Sequence, residues 1–173
     1  MAMILKKNGK VLAYGTLSWI EYSEKEVNLA IQDGLIFRFT DNGKTKRASQ
    51  IKKMRLFKGM NVLLVGKEGT DAITGWDIRE SGMVSADSFY MVKGKIVRVQ
   101  GDTVELDAAE KHTVLAKIPG NRVQVGQDIC LCGKNGIYTD CRFSCFQYSE
   151  EACENCSKRK KRKIILAVKM EEL

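Results

Sequence analysis

One proline, one histidine and 8% aromatic residues are all that 173 residues contain, and no apolar run approaches the ~20 residues a membrane-spanning helix needs. Each shortage closes off a class. The lone His112 sits in the turn-like stretch 109–112, with no serine or cysteine arranged to use it as a base. Catalysis lacks its usual centre, and the chain is expected not to be an enzyme. Both Gly-Lys pairs fail as nucleotide loops, because Walker A places Ser or Thr after the lysine, whereas Glu68 follows Lys67 and Asn135 follows Lys134. The opening MAMILKKNGK has too short an apolar patch for a secretory signal and no small-residue cleavage site. The six cysteines are therefore expected as thiols or metal ligands, in a cytoplasmic protein (nuclear if eukaryotic) with no membrane partner.

What the chain does have is an echo. KGMNVLLVGKEG at 58–69 returns as VGQDICLCGKNG at 125–136, an offset of 67 that aligns Gly59 with Gly126, Gly66 with Gly133 and Lys67 with Lys134. GKVLAYG from Gly9 resembles GKIVRVQG from Gly94 at an offset of 85, so the second copy is expected to be shorter by 18 residues. Two units follow, at 1–82 and 89–173, joined by the small, polar linker 83–88.

Short β-rich runs separated by glycine and Asx turns predict an all-β chain. Strands are expected at 10–19, 27–32, 35–40, 61–66, 72–78, 89–100, 103–107, 113–118, 128–132, 136–143 and 164–170. The best helical pattern is 47–57, where Ala48, Ile51, Met54 or Arg55, and Phe57 share a face. VNLAIQDG, then LIFRF, then the basic helix, then FKGMNVLLVGK resemble the run of OB-fold proteins that bind single-stranded nucleic acid. That resemblance spans 9–78 and, without the helix, 93–146. It implies two tandem small OB-like barrels with one short helix in the first.

Alternation puts Val11, Ala13, Leu17 and Trp19 on one face of the first strand and Tyr14 on the other. Phe37 and Phe39 are expected in the core, with Arg38 outward. Tyr14 and Arg38 thus become candidates for an open face, where a ring stacks on a base and a guanidinium meets phosphate. Net charge is +8, and it is unevenly placed. Residues 1–58 carry 12 basic against 5 acidic side chains, 59–157 carry 10 against 14, and 158–173 carry 7 against 2. The densest groups are Lys44, Lys46, Arg47, Lys52, Lys53, Arg55 and Lys58, and then Lys158, Arg159, Lys160, Lys161, Arg162 and Lys163. Both are candidate phosphate contacts. The hexapeptide also fits a nuclear-localisation signal or a charged edge strand.

Cys141, Cys145, Cys153 and Cys156 supply four thiols within 16 residues, a candidate structural zinc site in which the last pair has knuckle spacing. Small buried thiols are the alternative, and Cys130 with Cys132 forms a second pair on one strand face. ITGWDIRESGMV is similar to part of the PilZ domain, which binds cyclic di-GMP. Asp77 and Gly82 match, but Arg79 stands at the serine position and the upstream arginine pair is missing. The expectation is a non-catalytic binder of single-stranded DNA or RNA, or of structured RNA. Its second unit is a platform for a protein partner. The rival reading is an adaptor subunit whose basic surfaces meet acidic protein.

Overall fold

A computed structural model of the chain describes residues 2–108, 112–118, 120, 122–138 and 162–173. The first half holds β1 (Ala2–Lys7), β2 (Lys10–Tyr22), β3 (Glu26–Ile31), β4 (Ile36–Thr40), α1 (Arg47–Lys53), β5 (Asn61–Lys67) and β6 (Ile73–Arg79). The second holds β7 (Gly82–Ala86), β8 (Phe89–Gln100), β9 (Thr103–Ala108), β10 (His112–Lys117), β11 (Asp128–Tyr138) and β12 (Arg162–Glu172).

Strand order in the first sheet is β1-β2-β3-β4-β6-β5, and β5 returns to pair with β2. Five strands thus close into a barrel, with β1 attached outside. The second sheet repeats the plan as β11-β12-β10-β9-β8-β7, closed by β11 on β8. In each barrel the third and fifth strands pair in parallel, β4 with β6 and β10 with β12, while the other neighbours run antiparallel. This is the Greek-key closure of an OB-fold, present twice, with one short helix in the first copy.

Two strands go beyond the sequence expectation. β1 joins β2 through Asn8-Gly9, both with positive φ (52° and 75°), as a primed hairpin turn requires. Asn-Gly between alternating apolar residues was the available signal. The linker expected at 83–88 is mostly strand: Gly82–Ala86 is β7, which pairs with β8 as β1 does with β2. The 128–132 and 136–143 strands are one, β11, as far as Tyr138; 139–143 lie outside the described residues.

The repeat register also changes. Lys10 stands opposite Lys67, and Phe89 opposite Lys134. The first barrel strands are therefore offset by 79, not 85, while the fourth strands keep 67. The shortfall is 12 residues. Gly66 and Gly133, aligned by the echo, occupy the same structural position, each where its strand breaks register against the fifth strand. A Cβ on Gly133 would lie 2.0 Å from the Leu166 carbonyl oxygen, and one on Gly66 would lie 2.6 Å from that of Thr74. The backbones approach too closely for any side chain, and this explains why the sequence writes glycine at both positions.

The first core contains Val11, Ala13, Leu17, Phe37 and Phe39, as expected, together with Val27 and Leu29, all fully buried or nearly so. The second contains Ile96, Val104, Leu106, Ala116 and Ile129. A third cluster lies between the barrels: Met3, Leu12, Tyr14, Leu63 and Val65 from one, Val84, Ala86, Met91, Cys130 and Cys132 from the other.

Candidate nucleic-acid interface

On the outer face of β2–β3–β4, ladder pairs set side chains in rows. Trp19 lies opposite Ala30, which lies opposite Ile36; Glu21, Asn28 and Arg38 form the adjoining row, and Thr74 of β6 extends it. Trp19 is 41% exposed and Ile36 40%. Arg38 donates from Nε to Asn28 Oδ1 at 2.9 Å, with a Glu26 carboxylate oxygen at 4.0 Å, so its guanidinium is held against the sheet and half open to solvent. An aromatic ring, an aliphatic neighbour and an oriented guanidinium share one surface.

The sequence expectation for Trp19 was inward, and the structure reverses it. β2 is bulged between Leu17 and Trp19, so the inward series passes from Leu17 to Ile20 and turns Trp19 out. Tyr14 keeps the outer face but not its exposure. It is 3% exposed, packed between the barrels beneath Lys93, whose Nζ lies 5.7 Å from the ring centroid. Tyr14 is therefore removed from the open face, because the second barrel covers that end of β2. Trp76 packs partly buried against the inter-barrel cluster.

The basic segment is partly anchored and partly free. α1 buries Ala48 and Ile51, stops at Lys53, and is followed by Arg55 in the left-handed region (φ 55°), so it is shorter than the 47–57 expected. Leu56, not Phe57, turns inward; Phe57 is exposed. Lys46 at the N-cap gives no side-chain cap. Asp41 does that work from the end of β4: Oδ1 accepts the Ser49 N–H at 3.0 Å and Oδ2 accepts the Ser49 hydroxyl. These bonds, with Lys52 nearby, hold the Asp41 carboxyl below its usual value. Lys52 donates to the Glu24 carbonyl at 2.9 Å, and Arg47 to Gln50 at 3.4 Å. Lys44, Lys46, Lys53, Arg55 and Lys58 are exposed and make no ion pair among the described residues.

The corresponding face of the second barrel differs. Arg98, Glu105 and Leu115 take the places of Trp19, Ala30 and Ile36. Arg98 pairs with Glu105 at 3.9 Å, and Glu105 and Leu115 are 7% and 1% exposed. Lys163 is exposed on β12; Arg162 belongs to the same strand. Lys158, Arg159, Lys160 and Lys161 lie outside the described residues, as do Cys141, Cys145, Cys153 and Cys156. Cys130 and Cys132 are fully buried thiols. Burial, then Cys132 and Glu171, pushes the Cys130 thiol up to about 12; burial also raises Cys132. Among the described residues no three potential ligands gather around a metal position.

A cleft of about 920 Å³ opens between the barrels, lined by Met54, Trp76, Arg79, Met83, Ala108 and Val114 among others. A cavity of about 310 Å³ adjoins it, sharing Met83 and Val114 and reaching Lys163. Within the cleft, Asp77 accepts from the Ile78 N–H at 2.9 Å and from Arg79 Nε at 3.1 Å. No helix among the described residues is long and apolar enough to cross a membrane, which says nothing of strands.

No protein-family model matches the chain, and no curated protein matches it. A solved structure similar to it is that of a mutant of the single-stranded DNA binding protein from Thermus aquaticus, 12% identical, covering 99% of this chain and 95% of that one, with a TM-score of 0.30. At that distance the OB-like assignment stands on strand order and parallel closure alone.

Proposed function

We propose that the chain is a non-catalytic binder of single-stranded nucleic acid, DNA or RNA, held on the outer face of β2–β3–β4 with its phosphates toward the cations of 44–58. The observation that carries this reading is Trp19, exposed on the same barrel face as Arg38, with five cations in the 44–58 segment that make no ion pair among the described residues. A ring on such a face stacks on any base, and loose cations gain by displacing counterions from phosphate. The covered face of the second barrel favours the first as binder and leaves the second as a platform for a protein partner. Structured RNA is a further substrate of the same chemistry. Fluorescence anisotropy of labelled single strands, titrated with salt, tests the reading: log affinity should fall steeply with log salt, and no binding at low salt would sink it.

A protein-adaptor reading has one observation in its favour. Glu21 and Glu26 share the face with Trp19 and Ile36, and an apolar row rimmed by mixed charge also suits a protein partner. The same titration separates them. The cyclic di-GMP reading has less support, since Asp77 is occupied by Arg79 and the Ile78 N–H. Zinc at Cys141, Cys145, Cys153 and Cys156 remains a proposal from spacing; stoichiometric metal in the purified protein is the expected result, and its absence would leave thiols.

A further inference from the structure

We infer that a single strand bound on the first barrel continues along β6 into the cleft between the barrels and runs toward Lys163. The inference rests on the nucleic-acid reading above. Arg38 pairs across the ladder with Thr74, whose side chain is exposed on the same outer row. Trp76 lies two residues further along β6, at the bulge between the residues that pair with Gly66 and Val65. It lines the 920 Å³ cleft together with Met54, which sits in sequence between the exposed cations Lys53 and Arg55. The open face and the mouth of the cleft are thus joined by a single strand of the barrel.

Beyond Trp76 the groove does not end. Met83 and Val114 wall both the cleft and the 310 Å³ cavity, and the cavity carries Lys163 and Tyr90 on its lining. The charge follows a matching order. At one end Lys53 and Arg55 flank the lining residue Met54 in sequence, and at the other Lys163 lines the cavity. Between them the Asp77 carboxylate is neutralised by Arg79 at 3.1 Å, leaving Glu80 as the acidic lining residue that makes no ion pair among the described residues. Trp76, Met83 and the hydroxyls of Ser81 and Ser85 suit bases and sugars, so phosphate is gripped at the ends and bases are accommodated in the middle.

The chain has only two tryptophans, Trp19 on the face and Trp76 in the cleft, and each reports on one part of this path. Trp19→Phe keeps a stacking ring and leaves Trp76 as the sole tryptophan, read by excitation beyond the tyrosine band. Oligothymidylate of roughly 5 nucleotides and of roughly 15, within the usual range of site sizes for such barrels, are the probes. Trp19 emission, obtained as the parent signal less that of Trp19→Phe, should be quenched by both lengths. Trp76 emission should be quenched only by the longer one. Lys163→Glu, an exposed change that should not disturb folding, should weaken the longer strand several-fold, lower its salt slope by about 1, and leave the shorter unchanged. If Trp76 stays silent at both lengths and Lys163→Glu binds the longer strand like the parent, the path is overturned while the first-barrel reading stands. If neither strand binds at low salt, the function itself is lost.

Discussion

Trp19 leaves the face that strict alternation assigns it because of one irregular pair in β2, whereas Tyr14, ahead of that pair, keeps its face and is covered by the second barrel. A bulge between Leu17 and Trp19 inserts one residue, and every later side chain of the strand changes face. Leu17 followed by Ile20, a spacing of three in a two-residue pattern, was the only trace of it in the sequence. Trp19→Ala should therefore cost single-strand affinity by ~1–3 kcal/mol, whereas Tyr14→Phe should leave affinity unchanged. Equal losses in the same binding assay would return Tyr14 to the site. Cys130 gives a second test. Its folded value near 12 lies above the ordinary thiol value of 9.0, so the unfolded chain loses this proton first as pH rises. Stability tied to it is fully present below pH 9 and is lost between 9 and 12. Cys130→Val should flatten that alkaline limb of the melting-temperature profile, and an unchanged limb would mean other groups set it.

Among the elements, α1 and its flanks distinguish the two barrels most clearly. The connection between the third and fourth barrel strands runs from 41 to 60 in the first copy and from 118 to 127 in the second. Its basic character was legible because charge is read directly from composition. Its end was not, because it depends on Arg55 adopting φ 55°, a conformation uncommon for arginine. Replacing Lys53 and Arg55 with Glu should weaken binding of all sequences alike and reduce the salt slope by about 2, one unit for each lost phosphate contact. A loss confined to one sequence would point to base contacts instead. The helix is also pinned by Asp41. With the carboxyl held below its usual value, the pinning is present above the unfolded carboxylate value and is lost as pH falls through the folded one. Asp41→Asn should remove that acid dependence from thermal unfolding; a parent-like acid limb in the variant would show that Asp41 contributes nothing there. Barrel strands, hairpin glycines and the core phenylalanines were legible because period and turn chemistry are local. β7 was not, since the small polar residues of 81–88 read as linker until β8 is there to pair with them.

At the scale of the whole molecule, the two barrels meet through equivalent surfaces. With offsets of 79 and 67, Leu12 corresponds to Met91, Leu5 to Val84, Leu63 to Cys130 and Val65 to Cys132, and all belong to or pack against one cluster. Tyr14 and Lys93, themselves equivalent, touch each other, as residues near a local two-fold axis must. Polar contacts surround this centre. Lys10 pairs with Asp87 at 3.2 Å, Lys7 stands over the Phe89 ring at 5.7 Å, and Lys169 donates to the Ile4 carbonyl at 3.0 Å. The cluster is apolar and almost wholly buried, so the barrels share an interior and should unfold together. Leu63 faces this cluster rather than the core of its own barrel, and truncating it isolates the coupling. Leu63→Ala should cost ~2–5 kcal/mol and move a single calorimetric transition downward, with calorimetric and van't Hoff enthalpies still equal. Two transitions, of which one keeps its parental midpoint, would show that the barrels are joined only by their connecting strand. In that case the cleft beside the cluster would lose the fixed walls that a continuous strand path needs.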